Sequence, residues 1–545
     1  MERRTFIGGT AAALTALTAT ACNGSEPTGS GTGTSTVNGT EPGATTATRT
    51  QTATATDTGT AGTPGKSAAG APAPANWTAL ARDLDGRLIR PGDADWKSAH
   101  QLYNTRFDTL KPAAVAYVAH PDDIRTTLAY ARAHSLKVAI RNGGHSYAGW
   151  SSGNNRLIID VSKLNRIRAS GNTAVVGAGS KLIDVYRALA AKGTTIPAGS
   201  CPTVGVSGLT LGGGQGVTSR AYGLTCDSLT RATLITADGK QLVADATTNK
   251  DLFWALRGAG NGNFGIVTEL HFKTHPAPQG VTAYMTWPWS KAAALIKSFQ
   301  EWGPSRPDEI WSSLHLANHA GGRPTISVAA FSLGTYRELQ NAVDRLADRP
   351  GGPGPGPASS VSLRRHSYEE AMEIYAGCSS FSTDAQCHLP GATPGRSPQG
   401  ALGRETYTAK SDFFDRSISA TGIQTLLKQM QSVRGGAGSV ALTALGGAVN
   451  RVSPTSTAFV HRRSRMLAQY IASWRAGTTG TAAQSWLTSA HDAMRPYASG
   501  AAYQNYPDPS LRDWRKAYYG DAATRLARLK KQYDPEGFFT YPQAL

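Results

Sequence analysis

From Ala113 to about residue 280, short apolar runs alternate with helix-patterned segments. Three glycine-rich stretches break the alternation: "RNGGHS" (141–146), "PAGSCPTVGVSGLTLGGGQG" (197–216) and "RGAGNGNFG" (257–265). Glycine admits positive φ and lets backbone come close to a ligand, and successive N–H groups can cradle a phosphate. None of the three stands between a strand and a helix as GxGxxG, and none reads GxxxxGK[ST]. The chain is therefore steered toward a mixed fold around a phosphate-bearing cofactor, by a route other than the dinucleotide fold or the P-loop. Taken singly, each stretch is also what an ordinary turn looks like.

The alternation can be read residue by residue. "AAVAYVAH" is strand-like. In "PDDIRTTLAYARAHS", Pro121 opens a helix, Asp122 and Asp123 fill its first turn, and Ile124, Leu128 and Ala131 follow at i, i+4, i+7. "KVAIR", "RLIID" and "TAVVGAG" are strands, and "SKLIDVYRALAAKG" is a helix with Ser180 as its N-cap and Gly193 as terminator. "LTRATLITADGKQLVAD" is a hairpin turning at Asp238-Gly239. "NKDLFWALRG" is a short helix and "GIVTELHFKTH" a strand. After Thr282 the character changes, with strands and helices packed on one face to about residue 500. The fold class is α+β. "DRPGGPGPGPASS" from Asp348 is a surface loop, and the C-terminal segment is helical, with Leu526, Leu529 and Tyr533 in register.

The N-terminus lies outside this pattern. "ERRTFIGG" and the mild apolar run after it resemble a twin-arginine export signal over residues 1–22. Cys22 follows "TATA", which resembles a lipoprotein cleavage site, although Ala19 sits where Leu is usual. The expected location is outside the cell, either secreted or held by a lipid anchor at Cys22. Residues 23–75 are nearly all Thr, Gly, Ser, Ala and Pro, cannot bury enough apolar surface to offset their ordering entropy, and read as a tether. No apolar run reaches the ~20 residues that span a bilayer. The net charge of +18 fits a solvated basic surface, with a polyanion or anionic substrate as the alternative. Its densest patch, "HRRSR" at His461–Arg465, reads as the opening of a helix and matches no nucleic-acid motif.

Of five cysteines, Cys378 and Cys387 are the close pair, and export permits a disulfide between them. Closing that loop is worth about 2.7 kcal/mol by chain entropy. Cys201 and Cys226 lie in glycine-rich surroundings without metal-ligand spacing, so no metal site is expected.

"RNGGHSYAG", "CPTVGVSGLTLGGGQG" and "RAYGLTCDSL" resemble the berberine bridge enzyme-like flavin oxidases of the vanillyl-alcohol-oxidase type, a group that includes glucooligosaccharide oxidases and aclacinomycin-type tailoring oxidases. The similarity continues through "DLFWALRGAGNGNFGIVT", "GGAVNRVSPTSTAFVHR" and "AYQNYPDPSLRDW", and covers roughly 76–545. It implies a two-lobed FAD-binding domain (76–280), a substrate domain with an antiparallel sheet covered by helices (281–500), and a C-terminal segment (501–545) returning to the first domain.

The resemblance also implies a bicovalent FAD, bonded through His145 to the flavin 8α-methyl and through Cys226 to ring carbon C6. Both bonds are chemically reasonable, since a thiolate and a neutral imidazole are nucleophiles. The cofactor contacts implied in the first stretch are Arg141, Asn142, Gly143, Gly144 and Ser146. In the second they are Gly205, Gly208, Gly212, Gly213 and Gly214, and in the third Gly262, Gly265, Ile266 and Val267, with Asn505 near the C-terminus.

The implied reaction moves hydride from an alcohol or sugar C–H to the flavin, with oxygen as acceptor and hydrogen peroxide as product. Tyr503 of "AYQNYPD" is the implied base and Tyr506 its neighbour. Val204 lies where the family gates oxygen. Ala444 and Leu445 stand where tailoring members carry a second Tyr and sugar oxidases an Asp nearby, so substrate identity stays open between a carbohydrate and a hydrophobic alcohol or natural product. The alternatives are a dehydrogenase or tailoring oxidase using another acceptor, and an exported flavoprotein that only binds its ligand.

Overall fold

The computed structural model describes residues 76–348 and 354–545. The expected signal, lipidation site and tether lie outside the described residues, as do positions 349–353 of the proline-glycine loop.

Three large sheets carry the described residues, with a fourth of two short strands, Thr194–Thr195 and His275–Pro276. The first has four strands in the order Arg87–Ile89, Ala114–Tyr117, Leu157–Asp160, Val138–Arg141, antiparallel at its first pair and parallel beyond it. The helix Pro121–Ala133 connects two of them, with Pro121 in its first turn and Ile124, Leu128 and Ala131 buried. The second sheet is antiparallel, with five strands in the order Ile167–Ser170, Thr173–Gly177, Ile266–Lys273, Leu229–Ile235, Gln241–Asp245. Its last pair is the expected hairpin, with Gly239 at φ +81°. One apolar core spans both sheets and takes in Ala502, Trp514, Leu526, Leu529 and Phe539 of the C-terminal segment.

The third sheet is antiparallel with seven strands, ordered 360–366, 280–287, 325–332, 310–319, 437–444, 466–473, 407–414. Strand alternation gives it two faces. Leu314 and Leu316, Val440 and Leu442, and Ala468 and Tyr470 pack under helices Ala292–Trp302, Tyr336–Ala347, Ala420–Gln431 and Thr481–Met494. Their neighbours Ser313, His315, Ala441, Thr443 and Gln469 face the other way, into a cavity shared with the first two sheets. The mixed α+β architecture follows from this division.

Two local expectations are corrected. The helix after "TAVVGAG" runs Leu182–Ala190 with Lys181, not Ser180, at its N-cap, and the cap makes no side-chain bond. "HRRSR" does not open a helix but leads into strand Met466–Ser473, with His461 and Arg462 buried. Arg462 makes a bidentate pair with Asp227 at 2.7 and 2.8 Å, so tertiary pairing overrides the local pattern. Cys378 and Cys387 are bonded, their Cα atoms 5.6 Å apart.

Candidate active site

The cavity begins at the loop after strand Val138–Arg141. Arg141 turns inward to pair with Asp160 and to donate to Tyr117 Oη at 3.3 Å, which fixes the start of the loop. Gly144 then takes φ +68°. The N–H groups of Gly143, Gly144, His145 and Ser146 donate to no protein acceptor among the described residues. Successive free amides with a left-handed residue between them make an anion-binding concavity. Gly143 itself is spent on packing. A Cβ there would lie 2.4 Å from the Gly205 nitrogen and 2.5 Å from the Thr203 oxygen, so its bareness lets two loops meet.

His145 lines the cavity and is half-buried. Its ring stacks on Tyr103 at 4.0 Å, and Nε2 lies 2.8 Å from Thr203 Oγ1. Burial, with the nearby Lys181 ammonium second, lowers its pKa to about 3. The imidazole is neutral at physiological pH, and Nδ1 is the nitrogen left free of Thr203.

The loop ahead of helix Val206–Leu211 brings Cys201, Val204 and Gly205 to the cavity wall, the helix itself brings Gly208, and the loop before strand Ile266–Lys273 brings Gly262 and Gly265, followed by Val267. A Cβ at Gly208 would meet nothing within 4 Å, so this glycine faces open space. Other expected contacts are not at the wall. Ile266 points into the core. Gly212, Gly213 and Gly214 are closed in by protein: an added Cβ would strike Asn505 at Gly212 and Thr225 at Gly214, and at Gly213 it would press on Phe459 at 3.0 Å.

Cys226 is likewise not at the cavity wall. It is fully buried in an apolar cluster with Leu224, Phe459, Leu467 and Tyr503. Burial and the adjacent Asp227 hold its thiol protonated, well above the ordinary range. The cysteine that shares the wall with His145 is Cys201, whose sulfur carries a disulfide in this structure. Sequence spacing could not separate the two, because both sit among glycines.

The C-terminal segment supplies the opposite wall. Tyr503 Oη accepts from Gly214 N–H at 2.8 Å and from Asn505 Nδ2 at 2.9 Å. Burial raises its pKa above the phenol range, with Tyr506 adding to the rise, while the two N–H donors pull the other way. Tyr506 is pushed up to about 12 by burial. It packs edge-on to Tyr503 and face to face with Tyr147, at 4.9 and 5.0 Å. Tyr147, two residues beyond His145, accepts from Gln469 Nε2 at 2.6 Å. Thus the first loop, the third sheet and the C-terminus meet at one point. Ala444 and Leu445 are buried in apolar clusters and offer no acid or base.

The third sheet closes the cavity with Tyr284, Trp311, Ser313, His315, Thr443 and Gln469, and the helix Tyr368–Ala376 adds Tyr375. No motif announced His315 or Gln469. The signal was their alternation with buried neighbours, which shows only once strand faces are known.

Family profiles match the chain in two places. Residues 112–245 match a FAD binding domain, and 502–545 match a segment described as berberine and berberine like. The uncharacterized FAD-linked oxidoreductase YgaK of Bacillus subtilis (strain 168) is 31% identical over 468 residues, 85% of this chain and 97% of that protein. A carbohydrate oxidase of Microdochium nivale is 30% identical over 485 residues, 84% of this chain and 92% of its own. Among solved structures, wild-type BBE-like 1 of Physcomitrella patens superposes with a TM-score of 0.76 at 30% identity, covering 86% of this chain and 98% of that one.

Proposed function

This chain belongs to the berberine bridge enzyme-like FAD-linked oxidoreductases, and from that premise we propose that it is an oxidase of alcohol groups, with carbohydrates as the first substrate class. The observation that carries the reading is a single cavity. It joins the free amides of the His145 loop to the Tyr503 hydroxyl and to the uncovered face of the third sheet.

The residues fit FAD. The amides of Gly144, His145 and Ser146 suit its pyrophosphate, and the open wall at Gly208 admits close approach of a large planar group. His145 would bond the cofactor through Nδ1, because Nε2 is engaged by Thr203. A second bond at Cys226 is not supported, since that thiol is enclosed in an apolar cluster. A bicovalent attachment would fall to Cys201, in place of the disulfide its sulfur carries. When bound, the flavin supplies the two-electron acceptor for a substrate hydride and the route of those electrons to oxygen.

The chain's own groups do the rest. Tyr503 Oη is the base assigned to take the substrate hydroxyl proton, and its Gly214 and Asn505 donors stabilise the charge it would carry. Tyr506, held between Tyr503 and Tyr147, orients the substrate beside it. Tyr284, Trp311 and Tyr375 offer apolar faces, while His315, Thr443 and Gln469 offer hydrogen-bonding atoms. That mixture suits the C–H and O–H faces of a sugar ring, and the relative from Microdochium nivale is named a carbohydrate oxidase. Val204 at the wall is small and leaves room for oxygen.

Peroxide release from a panel of oligosaccharides and aromatic or aliphatic alcohols tests the reading. Turnover of sugars with peroxide supports it. Turnover only with an artificial acceptor identifies a dehydrogenase, and binding without turnover a carrier.

A further inference from the structure

A second, smaller cavity is lined by Asn142, Gly143 and Gly144, just before His145 in the same loop. Arg141, Lys181 and Arg396 bring three cationic side chains to it, and Asp160 one carboxylate. Arg141 and Lys181 are each 4% exposed. Arg141 pairs with Asp160, yet its Nη1 is buried with no partner. Lys181 Nζ donates only to neutral atoms, Asn142 Oδ1 at 2.7 Å and Ser162 Oγ at 3.0 Å. Arg396 donates to the Pro390 carbonyl at 3.1 Å and has no carboxylate within ion-pair distance among the described residues.

The imbalance is one of charge. Three cations share one carboxylate in a poorly solvated space, where an uncompensated charge is costly. The nearest further charges do not correct it: Asp184 is bonded to His388, and Arg404 adds a positive charge that is itself paired with Asp108. A water would satisfy Arg141 Nη1 without neutralising anything. Burial lowers the Lys181 ammonium to about 8, against the opposing pull of Asp160 and Asp184 and with Arg141 and Arg396 adding to the fall.

We propose that this cavity is a binding site for a small inorganic anion of halide size. It encloses about 30 Å³, room for one or two water-sized bodies. Arg141, Lys181 and Arg396 are its donors. Thr203 lines the same cavity and holds His145 Nε2, so an anion there also offsets the positive field acting on the imidazole.

The test uses the flavin-loaded protein, so that the cofactor's pyrophosphate is not the anion titrated. Melting temperature is followed against sodium chloride and sodium gluconate at equal ionic strength. A saturable rise with chloride alone is expected, because a ligand of the native state stabilises by mass action. Arg396→Met should raise the chloride concentration for half-effect roughly tenfold or more, the loss of one charge-assisted hydrogen bond. Diffraction from crystals soaked in bromide should place an anomalous peak within hydrogen-bond reach of Arg141 and Lys181, independently of any variant. Coincident chloride and gluconate curves, or no bromide peak in this cavity, would overturn the proposal.

Discussion

The Tyr503 hydroxyl oxygen accepts a hydrogen bond from the Gly214 N–H at 2.8 Å, across 289 positions of sequence. The contact explains why the triple glycine, expected to cradle cofactor, is packed inward. A side chain at Gly213 or Gly214 would push Phe459, Tyr503 or Thr225 away, and the amide would no longer reach the phenol.

Tyr503→Phe removes the assigned base and leaves the ring packing. Positioned general bases contribute ~10²–10⁴-fold, and flavin reduction measured by anaerobic stopped flow should slow by that order. Tyr506→Phe should cost less. Because Tyr503 holds its proton above the ordinary phenol range, the reduction rate should rise with pH, up to tenfold per unit, as far as the protein stays folded. A rate that is flat between pH 7 and 10, or a Phe variant within a few-fold of the parent, would place the base elsewhere.

The attachment of FAD discriminates the cysteines. Cys226→Ala should leave the acid-stable flavin on the polypeptide unchanged. His145→Ala should remove one bond, and His145→Ala with Cys201→Ala should release the flavin on acid precipitation. Peptide mapping of flavin absorbance reads out each case. A flavin-bearing peptide containing Cys226 would contradict the structure's placement of that thiol.

Val204→Ile adds a methylene at the cavity wall. Reoxidation of reduced flavin by oxygen should slow while anaerobic reduction stays nearly unchanged. Equal losses in both half-reactions would mean that the residue only packs the core.

Two histidines make the fold acid-sensitive. Burial lowers His461 to about 3 and His315 to about 4. A group whose folded value lies below its unfolded value binds fewer protons folded, so its full stability is present above about 6.5 and is lost as pH falls toward the folded value. For His461 the loss by pH 5 is on the order of 2 kcal/mol. Thermal melts should show the midpoint falling steadily from pH 6.5 to 4, and His461→Gln should flatten that slope.

What the sequence made legible follows from the range of each signal. His145 was readable because two glycines before a histidine are a local signature, and the Asp238-Gly239 hairpin because its turn chemistry is local. Tyr503 was readable through the resemblance. That Cys226 lies buried off the cavity wall was not legible, because adjacency in sequence does not tell which side of a wall a thiol faces. The packed surroundings of Gly212–Gly214 were hidden for the same reason: a bare backbone serves a ligand and a packed neighbour equally well. His461–Arg465 has a local pattern, but the Arg462–Asp227 pair spans 235 positions and decides its conformation. His315 and Gln469 became visible only when the seven strands set their faces.

The most direct measurement is anaerobic. The purified flavoprotein is mixed with a series of oligosaccharides under argon, the flavin absorbance is followed, and air is then admitted. Full bleaching of the oxidised band with at least one sugar, followed by its return with one equivalent of hydrogen peroxide per flavin, is the result expected of a carbohydrate oxidase. A band that every sugar leaves untouched and an aromatic alcohol bleaches, or a reduced flavin that air does not restore, would contradict it.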